Sequence, residues 1–455
     1  MRFLRWTGAA LAAALLAACG GGNDDPPARG AVLSGLALGQ ATRGQIDAGT
    51  ASSGLQALSG AARCDVTIRY LQYSTRTPDG SAVRASAGVL VPGGSNAGCT
   101  GERPVLLYGH GTATSKAKNM ALVSTDQEAG LLMAMYAAQG FIVVAPNYLG
   151  YDGTLDWHPY LNAESQATDM IDALRGAKSY LASVGGTTAS AALLITGYSQ
   201  GGHVAMATHR EIESKYASEF TVTASAPMSG PYNLVGFTDV VTSPLGQVNG
   251  GALVFTPMLL TSYQRSYGNV YASASDAYQA PYDRTAPNIF PSDQTVGELM
   301  AAGKLPADPT LTKLWGAGGL LTDSFRASYF STTTPSPFRA ALTNNTLLGW
   351  TPQHPVAMCG GAQDPTVFFA VNTTAAQADF ASRSVPVPAF DLENRATLPA
   401  GALGDLLYGG FQQSKANLAA AGGNVQAAYH GSLVPPFCNA IARGFFQQVL
   451  AASAP

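Results

Sequence analysis

Ser199 lies in Gly197-Tyr198-Ser199-Gln200-Gly201, between the apolar run Ala191-Ala192-Leu193-Leu194-Ile195 and the helix-compatible Gly202-His203-Val204-Ala205-Met206-Ala207. A serine placed where a buried strand turns sharply into a helix is lifted clear of the fold, and a neighbouring base can then make it a nucleophile. The flanking glycines remove side chains that would collide with the incoming strand and helix. In a chain with 51 glycines the five-residue pattern is weak by itself. The strand before it and the helix after it give it weight.

A serine nucleophile needs a base and an acid. In an α/β-hydrolase these follow in the order Ser, Asp or Glu, His, at the C-terminal ends of strands of one sheet. Of the six histidines, His110 and His158 precede the serine, and His203 and His209 lie on the helix after it. His354 enters a strand through Pro352 and Pro355, at the far edge of the sheet. Elimination leaves His430, which follows the strand-like Val425-Gln426-Ala427-Ala428-Tyr429 and begins a turn with Gly431 and Ser432. For the acid, Pro355-Val356-Ala357-Met358-Cys359 reads as a buried strand and Gly360-Gly361-Ala362-Gln363-Asp364 as the loop leaving it. Asp364 is the preferred orienter of His430, with Asp391 or Asp405 in reserve. Each residue also has a plainer reading: Asp364 as a helix cap and His430 as a surface-turn histidine.

Acyl transfer also requires two backbone N–H groups facing the oxygen that becomes negative. One belongs to the residue after the nucleophile, Gln200. The other should come from the loop after Pro104-Val105-Leu106-Leu107-Tyr108, where Thr112 is the first choice and Gly111 the second. A phosphate loop is excluded by spacing, because Ser115 stands before Lys116 where glycine is needed, and Thr114 holds the last glycine position of the dinucleotide pattern.

These residues must be held by a largely parallel sheet. Residues 66–74 and 82–91 predict a hairpin around Pro78-Asp79-Gly80, and residues 105–108, 141–145 and 221–228 predict further strands. Met170, Leu174, Ala177 and Leu181 recur at helical spacing and mark a buried helix face. The fold expected is an α/β-hydrolase, with helices flanking a mostly parallel central sheet. Its core comprises residues 61–233 and 349–455. Between them, residues 234–348 break the strand–helix rhythm.

Charged residues make up only 12% of the chain, net charge is −3, and 27 prolines accompany the glycines. No basic patch is present, so nucleic-acid binding is disfavoured. Arg2 and Arg5 precede an apolar stretch, residues 8–18, closed by Leu16-Ala17-Ala18-Cys19. This resembles the lipobox of bacterial lipoproteins, which implies removal of residues 1–18 and a lipid anchor on Cys19. The plainer reading is an ordinary signal peptide. Loss of the two arginines takes net charge to −5. Gly20 after the cysteine favours the outer membrane by the same resemblance, with periplasmic or extracellular placement as the alternative. Residues 19–60 are expected to be a flexible tether.

Cys64, Cys99, Cys359 and Cys438 form no C-x-x-C pair, so zinc and redox chemistry are disfavoured. In an oxidising compartment two disulfides are their natural use. The hairpin should bring Cys64 to Cys99, which leaves Cys359 for Cys438. Four cysteines allow three pairings, and reduced thiols are the alternative.

Pro146-Asn147-Tyr148-Leu149-Gly150-Tyr151, His158-Pro159-Tyr160-Leu161, Gly197-Tyr198-Ser199-Gln200-Gly201-Gly202 and Trp350-Thr351-Pro352 resemble the secretory lipase family of bacterial and fungal α/β-hydrolases. Asn147 stands where that family has aspartate. The resemblance implies hydrolysis of carboxylic esters through an acyl-enzyme, without a metal or organic cofactor. It also implies a lid, for which residues 234–348 supply Leu259, Tyr263, Trp315, Leu321, Phe325 and Tyr329 among other apolar side chains. Most of these should form the insertion's own core, and some should line an acyl pocket for hydrophobic or aromatic esters. A serine peptidase of the same fold and a non-catalytic, surface-anchored binding protein are the alternatives. No oligomeric state is implied.

Overall fold

Along the central strands, successive apolar side chains turn to opposite faces, which is how a sheet covered on both sides is written. Leu106 and Tyr108 enter one core while Val105 and Leu107 enter the other; Leu194 opposes Leu193 and Ile195 in the same way. The computed structural model describes residues 26–452, so the expected leader 1–18 and Cys19 lie outside the described residues. Its nine strands are β1 (Val32–Ala41), β2 (Asp65–Arg76), β3 (Ala82–Gly93), β4 (Glu102–Gly109), β5 (Ile142–Pro146), β6 (Thr188–Tyr198), β7 (Val222–Met228), β8 (Met358–Gly360) and β9 (Ala389–Asp391). They form one sheet in the order β1-β2-β3-β5-β4-β6-β7-β8-β9. Pairing is antiparallel from β1 to β5 and parallel from there to β9. This is the α/β-hydrolase architecture. Helices Ala163–Val184 and Gln200–Lys215 cover one face, and Gln127–Met135, Ala402–Ala420 and Val434–Ala452 cover the other.

Two expectations are corrected. Within the expected tether 19–60, residues 32–59 are regular structure: β1 adds to the edge of β2 from Val32 opposite Tyr73 to Ala41 opposite Val66. Helix Arg43–Ser53 follows, capped by Thr42 through a reciprocal bond with Gln45, and buries Ile46. Backbone pairing along the exposed edge supplies the free energy that a tether would lack. Upstream, Arg29 Nε reaches buried Asp172 at 3.0 Å. The second correction concerns residues 425–429. Val425–Ala428 is a single helical turn, capped by the Asn424 side chain, and leads into a π-helical turn, Tyr429–Leu433, that carries His430.

Between β7 and β8 the chain makes a mainly helical insertion, with helices Leu234–Thr242, Ala252–Tyr267, Asp323–Tyr329 and Pro337–Asn345 among its elements. Leu253, Leu260, Tyr263, Leu320 and Leu342 are at its centre, all essentially inaccessible. The insertion therefore has its own apolar core. Both expected disulfides are formed, Cys64–Cys99 and Cys359–Cys438. The first closes the hairpin strands near their open ends. The second ties β8 to the C-terminal helix.

Candidate active site

Ser199 follows β6 and N-caps helix Gln200–Lys215 with φ 59° and ψ −120°, a positive-φ backbone that costs a non-glycine residue energy and projects its side chain away from both elements. The two glycines of the motif are explained by contact. A Cβ on Gly197 would lie 2.2 Å from the Gly201 carbonyl oxygen, and one on Gly201 would lie 1.9 Å from that of Gly109. No side chain fits at either place while strand and helix approach this closely.

The structure brings Ser199, His430 and Asp364 together. His430 Nε2 is 2.7 Å from Ser199 Oγ, and His430 Nδ1 is 2.6 Å from Asp364 Oδ2. With Nδ1–H donating to the carboxylate, Nε2 is free to accept the serine proton. Asp364 also satisfies its plainer reading: Oδ1 accepts the N–H groups of Thr366 and Val367 at 2.8 and 3.0 Å. Its residue exposure is 5%, against 8% for both Ser199 and His430, so the three are nearly dry but open on one side. The reserve acids are engaged elsewhere. Asp391 accepts the N–H groups of Ala362 and Glu393, and Asp405 pairs with Arg395.

Three supporting contacts carry no motif in the sequence. Tyr198 Oη donates to the His430 carbonyl at 2.6 Å and fixes the π-helical turn. Tyr429 Oη and Lys415 both donate to Glu393, tying that turn to the loop after β9. The third is Glu128, which accepts from the Gly111 N–H and Tyr108 Oη at 3.0 Å each and pairs with Lys118 at 3.2 Å. Gly111 is thereby occupied. The backbone N–H groups of Thr112 and Gln200 have no hydrogen-bond partner among the described residues. The Gln200 side chain is held by His158, whose Nδ1–H donates to the Leu149 carbonyl while Nε2 accepts from Gln200 Nε2 at 2.6 Å. Burial pushes the His158 imidazole down to about 3, so it stays neutral and keeps that acceptor.

The remaining expectations resolve as follows. His110 is stacked on Tyr148, its ring nitrogens on the Gly111 and Asn147 carbonyls. His203 bonds the Asn345 carbonyl, and His209 and His354 meet at Glu213. Asn147 uses both ends of its amide: Nδ2 donates to Ser86 Oγ and Oδ1 accepts the Met120 N–H, a pairing that a carboxylate could not make.

Two clefts meet at Ser199. One is walled by the insertion, with Phe237, Val241, Leu259, Trp315, Phe325 and Tyr329 on its sides. The other is wider and passes His430, Thr112 and Lys118 toward helix Arg43–Ser53. Phe255 lines both.

The family model for secretory lipases matches residues 115–273. Among solved structures the chain is similar to the rice cell wall degrading esterase LipA from Xanthomonas oryzae. A mutant form of that esterase is 30% identical, with a TM-score of 0.76 over 94% of this chain and all of that one. Another structure of it is 33% identical, with a TM-score of 0.71 over 80% of this chain and 91% of that one. Candida antarctica lipase A shares the fold at 15% identity and a TM-score of 0.55, covering 93% of this chain and 91% of its own. None of the curated proteins matches the chain.

Proposed function

Starting from the finding that this chain belongs to the secretory lipase family and is a carboxylic ester hydrolase, we propose that it cleaves esters through an acyl-enzyme on Ser199. The observation that carries this reading is the unbroken hydrogen-bonded series from Ser199 Oγ through His430 to Asp364. His430 Nε2 takes the serine proton as Oγ attacks the ester carbonyl, and Asp364 holds the imidazole in the tautomer that can do so. Charge on the tetrahedral oxygen is met by the N–H groups of Gln200 and Thr112. The proton on His430 then passes to the departing alcohol. Water, deprotonated by the same imidazole, attacks the acyl carbon and releases the acid and Ser199.

The acyl group enters the apolar cleft beneath the insertion, which acts as a lid, and the alcohol faces the wider cleft beside His430. This division favours hydrophobic or aromatic acyl groups, because the insertion's cleft has aromatic and aliphatic walls. We place the enzyme outside the cytoplasm, in keeping with its two disulfides and with its family. Among the described residues no helix is long and apolar enough to cross a membrane. Attachment through Cys19 would supply the membrane contact.

A panel of p-nitrophenyl esters of rising chain length tests the reading. The chain should hydrolyse them with saturable kinetics, and Ser199→Ala should lower kcat by roughly a millionfold while leaving the circular dichroism spectrum intact. Retention of most activity by Ser199→Ala would remove the serine from the reaction.

A further inference from the structure

We propose that His209, Glu213 and His354 form a binding site for a divalent transition-metal ion, separate from the ester-cleaving centre. His209 and Glu213 are four residues apart on helix Gln200–Lys215 and so share one face. His354 arrives from the segment leading into β8. His209 Nε2 lies 2.8 Å and His354 Nδ1 2.7 Å from the same oxygen, Glu213 Oε1. One ligand atom from each residue falls within 4.8 Å of the others. Ligands around a tetrahedral zinc ion stand about 3.3 Å apart, so a small outward shift of the three groups would admit one.

Donor chemistry narrows the ion. Two imidazoles and one carboxylate suit zinc and its neighbours rather than calcium or magnesium, which prefer oxygen. For two of the three ligands the second nitrogen or oxygen is held by a neighbour, as it is in built metal sites. His209 Nδ1 is 2.7 Å from Ser225 Oγ, and the second oxygen of Glu213 accepts the Gln353 N–H at 3.0 Å. His209 is fully buried, with its ring 5.3 Å from that of Trp350 at 77°, and cannot swing away. The His354 side chain is 35% exposed, which leaves an entry path and room for water as a fourth ligand.

His209 is ten residues along the helix from Ser199, about 15 Å. A bound ion would therefore not touch the ester. It would cross-link the helix that presents the serine to the strand segment that leads to Asp364. Hydrogen bonds alone can also satisfy these three groups, and a titration separates the two readings.

The test is calorimetric titration of zinc into the full chain after chelator treatment and removal of the chelator, with cobalt absorption as a second readout. The expected result is saturable binding of one ion, a rise of several degrees in melting temperature, and tetrahedral cobalt bands. His354→Ala should keep ester hydrolysis, lose affinity at least tenfold and lose the cobalt bands. Should that variant not fold, His354→Gln takes its place with the same expectation. Absence of saturable binding, or binding and cobalt bands unchanged in the His354 variant, would overturn the proposal.

Discussion

Asp364 answers to two sets of partners, and at the residue scale this explains why a capping aspartate and a histidine orienter could not be told apart from sequence. One oxygen caps the turn at Thr366 and Val367 and the other meets His430. Asp364→Asn preserves the cap acceptor but can present an N–H to the imidazole, favouring the wrong tautomer. We predict a fall in kcat of about a thousandfold or more, with little change in KM or melting temperature. Steady-state kinetics check this, and full activity in the variant would move the acid elsewhere. Glu128 could not be read in the same way, because it occupies no motif. Its role arises only when helix Gln127–Met135 packs beside β4 and fills the Gly111 N–H. That contact also leaves Thr112, rather than Gly111, as the available donor.

At the scale of elements, the strand–turn–helix around Ser199 was legible because collision geometry restricts it to glycine at Gly197 and Gly201. The walls of the apolar cleft were legible in part. Leu259, Trp315, Leu321, Phe325 and Tyr329 line it, whereas Tyr263 belongs to the insertion's core, and Phe237, Val241 and Phe338 are liners that periodicity did not single out. An apolar side chain reads the same in sequence whether it faces a core or a cleft. Leu259→Trp should fill the cleft. We predict that kcat/KM for a decanoyl ester falls at least about tenfold relative to an acetyl ester, because lost apolar burial scales with chain length. Equal effects on both esters would place the acyl chain outside this cleft. The π-helical turn at His430 was missed because five residues with one glycine carry no period long enough to separate strand from helix.

At the scale of the whole molecule, three segments 66 and 165 residues apart in the chain must converge, and only the sheet order makes them do so. The parallel half was readable from unbroken apolar strands. The outermost strand was not: nearly all of β1 is exposed, so no inside–outside alternation marks it, and the glycine-rich segment before it suggests a tether. Deletion of residues 26–60 should lower the melting temperature by at least about 5 °C, since it removes the β1–β2 pairing and the Arg29–Asp172 contact. An unchanged midpoint in a thermal scan would restore the tether. The most direct check on the convergence itself is covalent labelling with a fluorophosphonate followed by peptide mapping. One adduct, on Ser199, that disappears in His430→Ala as well as in Ser199→Ala is the result expected; an unlabelled protein, or labelling of Ser199 that persists undiminished without His430, would contradict it.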